Sequence, residues 1–432
     1  MQYAQDNVHD GPYKEACLEI AMRLLELPES KVDKSVVEKI KKEVSKKYML
    51  PRLPSNPEIS KALDEIFEDE DVEAYAEKLK KLKKLKLEKL EKIRKALKLK
   101  PVRTISGVAV VAVMSSPAPC PHGRCVPCPG GKNTPQSYIG KEPAAMRGMQ
   151  HGYDAFKQVT ARLKELKEIG HAVEKVEIIV MGGTFPAREK SYRDTFILGI
   201  YNALNLFESK TKPSDSIENA KAKNEGAKAR CIGMTFETRP DYSKPIHIRE
   251  MLEYGGTKVE LGVQSIYNDI LKKIKRGHGV EETIAATELL KDAGFKVGYH
   301  IMPGLPGSSF RRDLKMFKEI FENPKFKPDY LKIYPTLVVK GTELYEMYER
   351  GEYQPYTTDE VAELIARAKK HFPKWVRVQR IQRDIPVKYA IGLDRGNLRQ
   401  IVRQKLKEYG WRCRCIRCRE VGHGLSVEHG FG

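Results

Sequence analysis

Tryptophan is scarce in this chain, with two in 432 residues, and no apolar run approaches the roughly 18–20 residues that a membrane helix needs. The best run, Ile105 to Met114, falls far short. The N-terminus, Met1-Gln2-Tyr3-Ala4-Gln5-Asp6, lacks the basic start and apolar stretch of a signal peptide. An intracellular, cytoplasmic protein is the expectation. Acidic residues are also in deficit: 58 Asp plus Glu stand against 78 Lys plus Arg, a formal net charge of +20. Such an excess implies a polyanionic partner, and nucleic acid is the usual one. Lys/Glu enrichment of the hyperthermophile kind would raise charge content but not the net sign. Wholesale disorder is excluded by 41% hydrophobic residues, and the length suggests two or three domains.

Cysteine is limited to eight residues, not spread like a disulfide framework. Six fall into two tight groups, Cys120, Cys125, Cys128 and Cys413, Cys415, Cys418, while Cys17 and Cys231 stand alone. In a reducing compartment clustered thiols are more often metal ligands than bridges.

Residues 1–100 read as helical and basic. Leu18, Ile20, Met22, Leu24 and Leu25 fit a short amphipathic helix, and Pro51-Arg52-Leu53-Pro54 breaks the chain before the next. Leu79, Leu82, Leu85, Leu90, Ile93 and Leu97 form another helical stripe within Lys78–Lys100. That segment holds 12 Lys or Arg and two Glu, a net of +10. Self-repulsion of that size calls for an anion, so an RNA contact is expected there, with a merely solvated face as the alternative.

From residue 101 onward strand and helix signals alternate. Strand candidates are Val108–Val113, Val176–Val180, Cys231–Phe236, Lys258–Val263, Lys296–Met302 and Tyr330–Tyr334. Helical stretches such as Asp154–Glu168 and Val280–Ala293 separate them. Six strands alternating with helices predict an α/β fold with a parallel sheet, in a partial or complete barrel. The polar stretch Ser209–Ala229 reads as a surface loop plus an exposed helix.

Cys120-Pro-His-Gly-Arg-Cys125-Val-Pro-Cys128 follows the first strand and precedes Pro129-Gly130-Gly131. Its C-x4-C-x2-C spacing supplies three thiolates, whereas structural zinc and ordinary iron–sulfur sites take four protein ligands. Three fit a [4Fe–4S] cluster with one iron open to chelate a small molecule, as reductive cleavage of S-adenosylmethionine requires. Zinc with His122 as fourth ligand is the alternative. Gly182 and Gly183, in Met181-Gly-Gly-Thr184, end the second strand where barrel sites lie. Gln264, in Gly262-Val-Gln-Ser265, and Pro303-Gly-Leu-Pro-Gly307 stand at the same end of later strands. Each is weak alone, and their recurrence is the signal.

With these residues the chain resembles the family of Elongator catalytic subunits in their archaeal, stand-alone form, which are radical S-adenosylmethionine (SAM) enzymes of tRNA. The motifs carrying the likeness include Cys120–Gly131, Thr134–Tyr138, Lys175–Phe185, Glu237-Thr-Arg-Pro-Asp241, Glu260–Ser265, Lys332–Thr336, Gln382-Arg-Asp-Ile-Pro386 and Cys413–Arg419. The resemblance implies a radical SAM partial TIM-type barrel over 101–385. A basic helical tRNA-binding region would precede it at 1–100. A linker with a cysteine metal knuckle would follow at 386–432. It further implies that Cys120, Cys125 and Cys128 hold a [4Fe–4S] cluster that cleaves SAM. The resulting radical would activate acetyl-CoA, whose acetyl-derived group adds to C5 of the anticodon wobble uridine, giving 5-carboxymethyluridine. Gly182, Gly183 and Gln264 would bind cofactor, and Lys175 matches a lysine contacting acetyl-CoA. No individual catalytic residue is assigned.

Family members continue into an acetyltransferase-like domain, whereas this sequence leaves the motif at Gly424 and stops at Gly432. The expectation is that this domain is absent or acts in trans. Cys413, Cys415 and Cys418 favour tetrahedral zinc, with His423 near enough to be a fourth ligand. From Arg399 to Glu420 there are eight Lys or Arg and two acids, so the knuckle is also a basic patch for an anticodon stem-loop. The alternative function is a tRNA-binding scaffold with a structural cluster, catalytically incomplete. A methylthiotransferase would need a second cluster-binding cysteine set, and a coproporphyrinogen-type oxidase leaves the basic N-terminus without purpose.

Overall fold

The computed structural model describes residues 11–68, 83–97, 104, 106–130 and 133–420, excluding the side chains of 67–68 and 83–88. They divide into two compact units, one within residues 1–109 plus 161–174, the other within 110–160 plus 175–432.

The first unit gathers four helices, Gly11–Glu26, Lys34–Lys47, Asn56–Glu68 and Lys83–Leu97. Ile20, Leu24, Val37, Val44, Leu63 and Ile93 close its core, each at most 1% exposed. Helical spacing places these residues on inward faces, and burying each such side chain contributes roughly 1.5–3 kcal/mol. Asp33 starts the second helix by accepting from the amides of Ser35 and Val36. Leu90, Ile93 and Leu97 of the lysine-rich helix belong to this core, so its apolar stripe is a packing face. Part of its charge is matched within the unit, Arg94 to Asp64 at 2.8 Å and Lys92 to Glu29 at 3.7 Å. The rest of the lysine-rich stretch, residues 78–82 and 98–100, lies outside the described residues.

The second unit is built on a sheet of seven strands, in the order β1 to β7. They are β1 Ala109–Met114, β2 Lys175–Met181, β3 Arg230–Thr238, β4 Lys258–Gln264, β5 Lys296–Ile301, β6 Tyr330–Ile333 and β7 Arg377–Arg380. Each neighbouring pair from β2 to β7 is parallel. Parallel neighbours need a crossover, and helices such as Lys190–Leu206, Val280–Asp292, Phe310–Glu322 and Thr358–Lys370 provide it. The result is a parallel α/β half-barrel. Six strands follow the sequence reading, and β7 was missing from it. Its four residues carry Arg at both ends, and pairing with β6 (Tyr330 with Arg377, Leu331 with Val378) defines it.

Alternation along the central strands hides a second feature. Val259, Leu261 and Val263 face the helices, while Lys258 and Glu260 point the other way and are still buried, at 5% and 1% exposure. The barrel lumen is therefore polar. The stretch Ser209–Ala229 is a largely exposed loop and helix, as expected, anchored by a few buried residues. Asn224, at the end of helix Ile217–Asn224, is buried and donates to Asn205 Oδ1 at 2.7 Å, and it accepts from the Cys231 amide at 2.7 Å. A side-chain amide there replaces the backbone partners that a short irregular segment lacks. Among the described residues no helix is long and apolar enough to cross a membrane.

Candidate functional site

The loop after β1 carries the first cysteine group. Its start is tied to the end of β2 by the Ser115 amide donating to Met181 O at 2.8 Å. Two tight turns follow, Gly123 N to Cys120 O and Cys128 N to Cys125 O, both at 3.0 Å. Val126 then donates to Ile274 O at 3.0 Å and accepts from the Leu344 amide at 3.1 Å. This anchoring leaves Cys125 buried, and all three thiols line one cavity with Gln264 and Arg276.

Each thiol has a donor near it. Ser137 N lies 3.1 Å from Cys128 Sγ, and Thr184 Oγ1 3.9 Å from Cys120 Sγ. Arg276 Nη1 lies 3.6 Å from Cys125 Sγ, with its Nη2 donating to Gly262 O at 2.7 Å. His122 Nε2 is 3.0 Å from the same sulfur, and its Nδ1 is 2.6 Å from Arg239 Nη1. Arginine can only donate, so Nδ1 accepts and the proton sits on Nε2, directed at Cys125. Burial, then Arg239 and Arg276, push the His122 pKa down to about 4, which keeps the ring neutral. Asp241 holds Arg239 through two contacts of 2.9 and 2.8 Å. His122 thus serves as a donor to the Cys125 sulfur, a role that argues against its being a zinc ligand. Burial also raises the Cys120 thiol, so deprotonation there needs the compensating charge of a metal.

Gly182 has φ +117°, and a Cβ on it would stand 2.3 Å from Ser115 Oγ, so glycine is required at this strand end. Gly183, with φ +96°, lines a second cavity of about 170 Å³ together with Cys120, Thr184 and Gln264. Gln264 has φ +66°, a left-handed conformation that costs a non-glycine residue of order 1 kcal/mol or more and clusters at ligand sites. Its Oε1 is buried and has no hydrogen-bond partner within the protein. A buried orphan acceptor beside the thiols suits the ammonium or amino donor of an S-adenosylmethionine. Lys175 does not join this group. It is exposed at the first position of β2, about 23 Å along the chain from Gly182 at an extended rise.

Below the cavity lies the lumen network. Lys332 Nζ is 2.7 Å from Glu237 and also contacts Glu260, while His300 Nε2 is 2.9 Å from Glu260. Lys258 is 2.7 Å from Glu177 and 3.5 Å from Glu260. Glu237, Glu260 and His300 converge closely enough for a cation, but the lysines already occupy the carboxylates. The set is an ion-pair network, and although burial disfavours the charge, Lys332 and His300 hold Glu260 well below the usual carboxylate range. Tyr138 OH reaches Glu237 at 3.3 Å.

The second cysteine group is tighter. Cys413, Cys415 and Cys418 place their sulfurs within 4.8 Å of one another, spacing for a single ion. The first group does not meet that spacing, which suits a larger cluster. Ile416 N donates to Val376 O at 2.9 Å, pinning the knuckle beside β7, and Lys369 Nζ stands 3.6 Å from Cys418 Sγ. His423 lies outside the described residues. The sequence reading missed Arg239, Arg276 and the lumen charges. The signal for Glu237, Arg239, Glu260 and Lys332 was their place in the motifs that carry the family likeness. Arg276 stands outside them and is tied to the site by Gly277, whose φ of +76° brings it so close to His122 that an added Cβ would fall 2.6 Å from the histidine Cβ.

The model of the radical SAM superfamily matches residues 116–320, and that of the radical SAM C-terminal domain matches 328–408. The chain belongs to the radical SAM superfamily. Radical SAM proteins are defined by a [4Fe–4S] cluster and S-adenosylmethionine, and the three-thiol loop and orphan Gln264 fit both. The chain is 56% identical over 317 residues to the tRNA uridine(34) acetyltransferase of Methanocaldococcus infernus, and 53% to that of Methanocaldococcus jannaschii. It is 45% identical over 321 residues to human Elongator complex protein 3. Each match covers 72% of this chain and 58% of the relative, so the likeness covers the radical SAM part. The solved structure of archaeal M. infernus Elp3 lacking residues 1–46 superposes with a TM-score of 0.64 at 51% identity. It covers 73% of this chain and 66% of that one.

Proposed function

We propose that this chain modifies the wobble uridine of tRNA, using acetyl-CoA to carry a carboxymethyl-forming group to C5. Cys120, Cys125 and Cys128 would hold a [4Fe–4S] cluster, and Gly183 and Gln264 would line the SAM site beside it. When bound, the cluster supplies the electron that cleaves SAM reductively. The protein's own part is electrostatic and positional. Arg276, His122 and Ser137 donate toward the thiolates, the strand-end glycines let backbone approach the ligand, and the buried floor excludes water. Cys413, Cys415 and Cys418 would hold zinc as a structural pin. The single observation that carries the reading is the convergence of three donor-supported thiols and Gln264 at the C-terminal ends of a parallel sheet, in a chain that is 56% identical over 317 residues to a tRNA uridine(34) acetyltransferase.

Anaerobic reconstitution followed by reduction with dithionite tests it. The expected result is 5′-deoxyadenosine from SAM, and 5-carboxymethyluridine in tRNA when acetyl-CoA and an acetyltransferase-like domain in trans are supplied. Retained tRNA binding with no 5′-deoxyadenosine would favour an RNA-binding scaffold with a structural cluster instead.

A further inference from the structure

A groove of about 570 Å³ runs along the β7 edge of the sheet, between residues 379–387 and the helix Leu398–Glu408. Three arginines line it, Arg380, Arg383 and Arg399, against one carboxylate, Asp384. Asp384 is already paired with Arg380, which leaves Arg383 and Arg399 without a carboxylate partner. Arg383 donates to the Ser137 carbonyl, and Arg399 donates to the Gln379 carbonyl at 2.9 Å. Among the described residues neither one forms an ion pair with a carboxylate. A guanidinium has five donors and stays charged, so several donors on each remain for a ligand. Ile385, Pro386 and Val387 add an apolar wall on which a sugar or base can rest.

Arg383 also lines the cavity containing Gly183 and Gln264, and the one beneath the cysteine loop. The groove therefore opens directly onto the proposed reaction site. We propose that it binds the phosphodiester backbone of the RNA flanking the target nucleotide, with Arg383 and Arg399 as phosphate contacts. This rests on the tRNA reading above and locates where that substrate lies. An unpaired base delivered to the cavity needs its neighbouring phosphates held outside, and contacts of that kind position an RNA without reading its sequence. A small diphosphate would be satisfied by two guanidinium groups. The cations continue past the groove, with eight Lys or Arg and two acids from Arg399 to Glu420, which suits a longer polyanion.

The test is fluorescence anisotropy of a labelled anticodon stem-loop RNA titrated with the full chain across a KCl series. Arg383→Gln, Arg399→Gln and the double variant are compared with Lys318→Gln, an exposed control on helix Phe310–Glu322. The double variant should bind roughly tenfold more weakly at physiological salt, with a slope of log K against log[KCl] shallower by about 0.7 for each phosphate no longer held. Circular dichroism melts check folding, and because Arg383 lines both the groove and the cavity beside it, its single variant alone must lower the slope. An unchanged slope in well-folded variants would overturn the groove while leaving the tRNA reading intact. If the unsubstituted chain fails to bind the stem-loop, the tRNA reading itself falls. Loss of acetyl-CoA binding with RNA binding intact would assign the groove to the nucleotide and overturn the proposal.

Discussion

Arg276 donates to Cys125 Sγ at 3.6 Å while its other terminal nitrogen is fixed on the Gly262 carbonyl at 2.7 Å, so a positive charge braced on β4 is held against a sulfur proposed to ligate the cluster. Hydrogen bonds and positive charge at a ligating sulfur favour the reduced, more negative cluster. Arg276→Gln is expected to lower the midpoint potential. If the contact strengthens by about 1 kcal/mol on reduction, a one-electron couple moves by roughly 40 mV. Spectroelectrochemical titration followed by electron paramagnetic resonance measures it. An unchanged potential with a full cluster would show that Arg276 only braces the loop.

The two cysteine groups should separate by metal. Cys125→Ser is expected to lose the brown chromophore and bound iron while keeping zinc, because the knuckle lies on other elements. Cys413→Ser should lose zinc and keep iron. Elemental analysis of both variants decides, and loss of both metals in either one would mean that the sites depend on each other.

Much of the barrel was legible because its signals are local. A β-rich run ending in Gly-Gly or in Gly-x-Gln marks a strand and its functional end at once, and the three cysteines lie within nine residues of chain. What the sequence hides is long-range. Arg276 is 151 positions from Cys125, so no spacing rule links them. Lys258 and Glu260 alternate with apolar residues just as a solvent-facing strand would, and only barrel curvature encloses their side. Strand β7 has too few residues to announce itself and exists through its pairing with β6. Lys175 shares a motif with Gly182, yet a strand carries its two ends to opposite sides of the sheet.

Stability should fall on acidification in a way traceable to His278. This ring accepts from Arg276 Nε at 3.1 Å and is 3.1 Å from Gly279 O through Nδ1. Burial, then Arg276, bring its pKa down to about 4 from 6.5, with Arg239 adding to this and Asp241 opposing it. Between those values the unfolded chain binds the extra proton, so stability is present above pH 6.5 and is lost as pH drops toward 4. The ceiling is about 3 kcal/mol. Urea unfolding at pH 7 and near pH 4.5 should show a smaller loss for His278→Gln than for the parent chain. Equal losses would place the acid sensitivity elsewhere.

The lumen network makes the sharpest stability prediction. Lys332 is 4% exposed and contacts both Glu237 and Glu260, the latter 1% exposed. Removing the ammonium alone leaves two carboxylates facing each other in a buried site. Breaking one partner from a buried ion pair costs about 3–5 kcal/mol, whereas replacing the whole set with neutral groups of similar volume can cost little. Lys332→Met should therefore be strongly destabilised. Adding Glu237→Gln and Glu260→Gln should recover a good part of the loss. Thermal and urea unfolding of the single and triple variants measure the difference, which arises only if the carboxylates stay ionised when the lysine is gone. If the single variant were as stable as the parent, the carboxylates would have to take up protons instead. In that case its stability should improve as pH falls, an outcome that the same melts would detect.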